Sequence, residues 1–291
     1  MTVQGWESCD ASPELSLRSS FDSDDRRVVC APPGEEWSGD VATSAGAFLA
    51  SANGPSGEPR VYIVDVGPNG ATLSEPRRIW SRETGQISAI AISPDGDVAA
   101  VAADFGEGRH EERVSLIELG NPPASTSRDV EIRPSAHTFS MAFSRSGDLA
   151  IGRVGTERGP QSRELTVLTC HTDHSTPRQA RRVAEDHLRG IGQILGGTIS
   201  PDGKLAAVAH SSESDEAFCL SLIEVSTGER RLLLERENRV TDPAWAELAF
   251  DRDGTNLLIG YDEIGCISTS SLSYRRIVEV EEGGWIRVAW G

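Results

Sequence analysis

The densest group of metal-ligating side chains in the sequence is Cys170, His171, Asp173 and His174, four donors within five residues. Such crowding is awkward for one tetrahedral centre, so the segment reads as a polar loop between strands, and no metal is expected. Asp251-Arg252-Asp253-Gly254 and Asp22-Ser23-Asp24-Asp25 share part of the spacing of a calcium loop. Both lack the full run of acidic ligands and the distal glutamate, and turn chemistry is the better reading. The cysteines, at 9, 30, 170, 219 and 266, are odd in number and show no CxxC spacing. They indicate neither zinc nor a disulfide framework; Cys9 and Cys30 could meet, but reduced thiols are expected. No G-x-S-x-G nucleophile elbow is present. Arg178, Arg181 and Arg182 are followed by Glu185 and Asp186. That mixture of signs suits a solvated strand or an inserted loop better than an anion site.

Bulk properties exclude further classes. The 291 residues carry 45 acidic and 28 basic side chains, a formal charge of -17. Nucleic-acid binding rests on neutralising phosphates with Lys and Arg, so nucleic acid is not an expected partner. Hydrophobic residues make up 37% and no apolar run approaches eighteen residues, so no membrane insertion is expected. Met1 to Ser20 has neither the basic nor the apolar region of a signal peptide. The expectation is a cytoplasmic protein, or an extracytoplasmic one if a preceding segment has been removed. Composition fixes no oligomeric state and points to no cofactor.

The positioning elements come from a repeat. Ile87–Ala103 (ISAIAISPDGDVAAVAA), Thr138–Val154, Ile194–His210 and Ala246–Asp262 align, with a fainter copy at Trp37–Ala52. Their first turn residues, Ser44, Ser93, Ser144, Ser200 and Asp251, are 49, 51, 56 and 51 residues apart. In each, two apolar runs flank Ser-Pro-Asp-Gly or a relative of it, a hairpin turn with glycine at the left-handed position. A second pair of strands follows, as in Cys219–Val225 and Glu229–Glu235. Four antiparallel strands per unit of about fifty residues describe a propeller blade. Helical periodicity is nearly absent, with Arg178–Leu188 the one weak candidate.

The ends supply the last unit. Leu15–Cys30 aligns with Leu220–Glu235, residues near Val3–Cys9 provide a second strand, and GGWIRVAWG ending at Gly291 matches an innermost strand. The expected fold is therefore all-β. It is a six-bladed β-propeller over residues 1–291, a single domain whose last blade joins N- and C-terminal strands; five or seven blades are the alternatives. The hairpins resemble those of the TolB-type and WD40-like β-propeller repeat family. The Gly-His and Trp-Asp signatures of true WD40 repeats are absent, and so is the hydrolase domain that follows such propellers in prolyl-oligopeptidase-like peptidases.

In such a fold the blade-to-blade loops surround a channel mouth. Seven residues back from each turn marker lie Trp37, Gln86, His137, Gln193 and Ala244, with Trp245 and Trp285 one place further in. Trp37, Gln86, His137, Gln193, Trp245 and Trp285 are the expected ligand-binding ring; His110 and His210, on loops between second and third strands, and His187, in a blade-to-blade connection, are expected on the same face. The alternative is that the indoles pack between blades or fill the channel. The reading is an interaction or scaffold module holding a protein, a peptide or a small molecule. The competing reading is a lyase-, cyclase- or lactonase-type enzyme using His137 or His187 as acid or base.

Overall fold

A computed structural model describes residues 2–4, 8–9, 12–18, 26–44, 46–67, 72–105, 112–119, 127–130, 136–155, 164–171, 179–183, 191, 194–212, 214, 217–237, 246–260 and 263–279. These residues contain no helix and build six four-stranded antiparallel sheets. In the first, β1 (Thr2–Gln4), β2 (Ser8–Cys9) and β4 (Arg26–Cys30) all pair with β3 (Ser12–Arg18). The second holds β5 (Glu36–Thr43), β6 (Ala47–Asn53), β7 (Pro59–Asp65) and β8 (Arg77–Ser81). The third holds β9 (Gln86–Ile92), β10 (Val98–Asp104), β11 (Glu112–Glu118) and β12 (Ser127–Val130). The fourth holds β13 (Ala136–Phe143), β14 (Asp148–Gly155), β15 (Glu164–His171) and β16 (Gln179–Val183). The fifth holds β17 (Ile194–Ile199), β18 (Leu205–Ser211), β19 (Ala217–Glu224) and β20 (Arg230–Glu237). The sixth holds β21 (Glu247–Phe250), β22 (Asn256–Gly260), β23 (Glu263–Ser268) and β24 (Tyr274–Glu279).

Strands follow chain order within each of the last five sheets, and the first strands are neighbours in series: β5, β9, β13, β17, β21. This is an all-β, propeller-like arrangement. The weak helical candidate is corrected, because Gln179–Val183 is strand β16, pairing with Leu165–Thr169. The expected C-terminal inner strand, around Trp285–Trp290, lies outside the described residues.

The repeat turns are held the same way each time. Gly96, Gly147, Gly203 and Gly254 have φ of 80°, 83°, 68° and 69°, a region glycine enters without a side-chain clash. Their N–H groups donate to the carbonyls of Ser93, Ser144, Ser200 and Asp251. The marker hydroxyls of Ser93 and Ser200 accept from Val98 N and Leu205 N, and donate to Asp95 and Asp202. Asp251 accepts from Thr255 N, Thr255 Oγ1 and Asn256 Nδ2, so its carboxylate braces the turn. The Ser144 turn closes on Asp148, one residue sooner than the Ser93 turn closes on Val98. An ungapped alignment of the repeats is therefore out of step beyond Gly147.

Between sheets the side chains divide by the period of two that a strand imposes. Ala100 and Ala102 of β10 pack toward Met141, Phe143, Leu149 and Ile151. Ala99, Val101 and Ala103 pack the other way, toward Leu49, Val61, Ile63 and Trp80. A strand covered on both faces has no polar side, which is why its sequence is a nearly continuous apolar run. Close approach is tightest at Gly196, where a Cβ would stand 1.9 Å from the Ala246 carbonyl oxygen. Ala246 N in turn donates to Leu195 O at 2.9 Å, joining β17 to the start of β21.

Two outcomes follow. Gly196→Ala should lower stability by about 1–3 kcal/mol through overpacking. Gly46→Ala, with nothing within 4 Å of the added methyl, should stay within about 0.5 kcal/mol. Denaturant titration of both variants checks this. Hydrogen bonds from Ser93 and from Asp97 N hold the Asp95 carboxyl below its ordinary value. At Asp202 and Asp251 burial pushes upward, but donated hydrogen bonds prevail and both are also lowered. These contributions are fully present above the unfolded carboxyl value of about 4. They are lost as pH falls through the lower folded values. An acid titration should show Asp202→Asn losing part of the stability difference between pH 5 and pH 2 that the parent shows.

Candidate functional site

A bulge recurs about five residues before four of the five turn markers, Ser44, Ser93, Ser144 and Ser200. Ser88 of β9 and Phe139 of β13 are the extra residues where pairing with β10 and β14 shifts, Leu195 is that of β17, and β5 shifts between Trp37 and Val41. A bulge re-aims the residues before it and bends the strand. Beyond the bulges, toward the turns, the inner strands enclose a central cavity of about 670 Å³. Its wall mixes Ile90, Met141, Phe139 and Phe250 with the hydroxyls of Ser88, Ser140 and Thr198. Ser140 Oγ donates to Thr198 Oγ1 at 3.3 Å, linking adjacent sheets. Phe139 rests in a cradle, since a Cβ on Gly152 or Gly197 would fall within 2.7 Å of its ring. At the turn end, Arg145 pairs with Asp253 across an intervening sheet.

The expected mouth ring sits before the bulges, and its described members diverge. Trp37 is corrected from ligand contact to core. It is 5% exposed, packs edge-on against Tyr62 with ring centroids 5.8 Å apart, and donates from Nε1 to Val29 O at 3.0 Å. The bulge between Trp37 and Val41 turns the indole toward β4 and away from the channel. Gln86 is exposed at the head of β9, opposite Asp104. His137 lies in β13, opposite Val154. Gln193, Trp245, Trp285, His110 and His187 lie outside the described residues. His210 is also corrected: it belongs to strand β18 and not to a loop. Its ring is buried, bonded to Ser221 Oγ at 2.9 Å and Ser211 O at 2.7 Å.

Cys170 and His171 end β15, whereas Asp173 and His174 lie outside the described residues. Among the described residues no three His, Cys, Asp or Glu side chains converge on a metal-sized point. Cys30, Cys219 and Cys266 are free thiols, Cys219 buried and Cys30 exposed. Burial, more than any neighbouring charge, pushes the Cys219 and Cys266 thiols up.

Two buried carboxylates were not anticipated. Glu112, 4% exposed, accepts from Thr138 N, Thr138 Oγ1 at 2.6 Å and Ser88 Oγ at 2.6 Å. Arg153 Nη2 stands 3.4 Å away. Burial pulls the Arg153 guanidinium below its ordinary value, while the Glu112 charge works to raise it. The network stitches β9, β11, β13 and β14 together and takes up the Thr138 N–H that the bulge removes from the ladder. Glu35, also buried, accepts from Tyr62 OH at 2.5 Å and pairs with Arg60. Burial first, then the Glu35 carboxylate, raises the Tyr62 hydroxyl above the ordinary phenol value. The repeat did hold a signal for one network: Arg153 and His210 share a rung with Ala103, opposite Thr138, Ile194 and Ile87 respectively. A titratable residue where a neighbouring repeat has alanine marks a polar spot between sheets. Glu112→Ala strands a buried guanidinium and should cost about 3–5 kcal/mol, read as a fall in the urea midpoint.

No protein-family model matches the sequence, and no curated protein does. The fold does have likenesses. TolB from Acinetobacter baumannii superposes with a TM-score of 0.65 at 14% identity, over 99% of this chain and 65% of that one. This chain thus spans just under two thirds of that TolB chain. A putative 6-phosphogluconolactonase from Bacteroides uniformis gives 0.52 at 14% identity, over 98% of this chain and 82% of its own. An apocarotenoid oxygenase from Synechocystis gives 0.52 at 10%, over 94% and 70%. Likeness at such identities speaks for fold alone. What it establishes, with the sheet order and the central cavity, is a β-propeller arrangement like that of TolB.

Proposed function

We propose that this chain is a binding propeller that seats a small molecule or a peptide segment in its central channel. The observation that carries the reading is the cavity of about 670 Å³ walled by five inner strands. That volume lies within the range of ligand sites, and its apolar wall set with a few hydroxyls is the usual lining of one. In this reading the propeller has six blades, the last completed by residues 285–290 beside β1, β3 and β4. The opening is ringed by Gln86, His137, Gln193, Trp245 and Trp285, with Trp37 serving the core. A net charge of -17 favours a neutral or basic partner and opposes nucleic acid. Among the described residues no helix is long and apolar enough to cross a membrane. Catalysis at the same mouth is the second reading. It draws on the buried Glu112 carboxylate bonded to Thr138, next in sequence to His137.

The test is a thermal-unfolding screen against small molecules and short peptides, followed by variants. Protection by a channel ligand should disappear in Met141→Trp, which fills the cavity, and weaken in Trp245→Ala and Trp285→Ala. Trp37→Ala should lower stability by about 3–5 kcal/mol and leave binding per folded molecule unchanged. Deleting residues 285–291 should abolish cooperative unfolding if they close the ring. Equal protection of the parent and Met141→Trp overturns the channel reading, and turnover lost in His137→Ala with binding retained favours the enzyme.

A further inference from the structure

A second pocket, of about 560 Å³, lies off the axis at the rim of the sheet of β5–β8, with Phe105 at the end of β10 beside it. Its walls come from the start of β7, from β8, from the β8–β9 connection and from the end of β10. It therefore opens on the face opposite the Ser-Pro-Asp-Gly turns. Arg60, Arg78 and Arg82 line it, beside Ser81, Thr84 and the half-buried Phe105. Two carboxylates, Glu58 and Glu83, also line it.

The arginines are not equivalent. Arg60 is satisfied within the protein, paired with the buried Glu35 and 3.7 Å from Glu58. Arg82 is held by aromatic rings, its guanidinium carbon 6.0 Å from the Trp80 centroid and 5.9 Å from that of Phe105. Arg113 stands 5.8 Å from the same Phe105 ring, so two like charges approach one aromatic ring. Among the described residues, no carboxylate lies within ion-pair distance of Arg78, Arg82 or Arg113. With 45 acidic residues to 28 basic, this is not a shortage of acids. The guanidiniums are gathered where an external anion can reach them.

We propose that this pocket binds a small organic oxyanion, a carboxylate or a phosphate ester, whose apolar body rests on Phe105. A guanidinium presents paired N–H donors matched to two oxygens of such a group. Arg82, already braced by two rings, loses little freedom on engaging it. Ser81 and Thr84 place hydroxyls beside the same space. Size selection comes from electrostatics. Charges are screened over about 8 Å at physiological salt, so a small anion senses the local arginines. A polyanion meets the negative surface around them. The site is separate from the channel and does not depend on the channel reading.

The experiment is calorimetric titration of the full chain with phenylphosphate, benzoate and inorganic phosphate, with a short single-stranded oligonucleotide as polyanion. Phenylphosphate or benzoate should bind saturably and more tightly than inorganic phosphate, and the preferred headgroup names the source. Arg78→Gln and Arg82→Gln should each weaken binding about tenfold. Phe105→Leu should narrow the gap between phenylphosphate and inorganic phosphate. Arg145→Gln, at the opposite end of the channel, and Met141→Trp, which fills the channel, should leave phenylphosphate affinity unchanged. Arg78 is exposed on an outer strand, so its variant keeps the test valid should Arg82→Gln fail to fold. Non-saturable heats, affinity unaltered in Arg78→Gln, or tighter binding of the oligonucleotide would each overturn the proposal.

Discussion

Gly196 stands so near the Ala246 carbonyl that no side chain fits between them, and this closeness of neighbouring inner strands governs the rest of the molecule. Sheets that converge on an axis leave least room at their first strands and more at each strand outward. Small residues are concentrated in the second strands, the alanines of β10 and β18 being almost wholly buried. Larger groups such as Trp80 of β8 occur further out. Backbones that approach so closely also need their polar groups satisfied across sheets. The bond from Ala246 N to Leu195 O does this directly, and Glu112 does it through a side chain.

The recurrent bulge is the device that makes convergence compatible with a channel. One extra residue in each of β9, β13 and β17 bends the strand and reverses which face its preceding residues present. Beyond the bulge, the residues from Ala89 to Ile92 and from Ser140 to Phe143 line the cavity. Before it, Trp37 is turned into the seam with β4 and Tyr62. The polar spot that each bulge opens is filled differently in each sheet, by the Ser88–Glu112–Thr138 bonds in one seam and His210–Ser221 within another sheet.

These facts explain what could be read from the chain. The hairpins were legible because Ser-Pro-Asp-Gly is a local signal: the left-handed glycine stands at Gly96 and Gly203 as anticipated, and the structure adds the bonds of the Ser93 and Ser200 hydroxyls to Asp95 and Asp202. Strand order followed from the spacing, as did the pairing of β3 with β4, Leu15 opposite Val29. The site was less legible because counting residues back from a marker assumes an unbroken period of two. A single bulge changes the face of everything before it and leaves no mark in a row of small apolar residues. The Glu112 network was hidden for a related reason, since a glutamate heading an apolar strand reads as the last solvated residue of a loop. Burial is a property of the neighbouring sheet, which the strand's own sequence does not describe.

Charge placement follows the same geometry. The buried carboxylates Glu112 and Glu35 are each neutralised by one guanidinium, Arg153 and the part-exposed Arg60, and several hydrogen bonds offset their desolvation. Exposed pairs such as Arg145–Asp253 add little to stability. The guanidiniums of Arg78, Arg82 and Arg113 fit neither group, since they are open to solvent and braced by rings or by nothing in place of acids. In an acidic protein their mutual repulsion is tolerated only because the surrounding negative field lowers its cost. Arg78 and Arg82 thus lie at the rim of the sheet of β5–β8, where solvent and aromatic rings stand in place of acids.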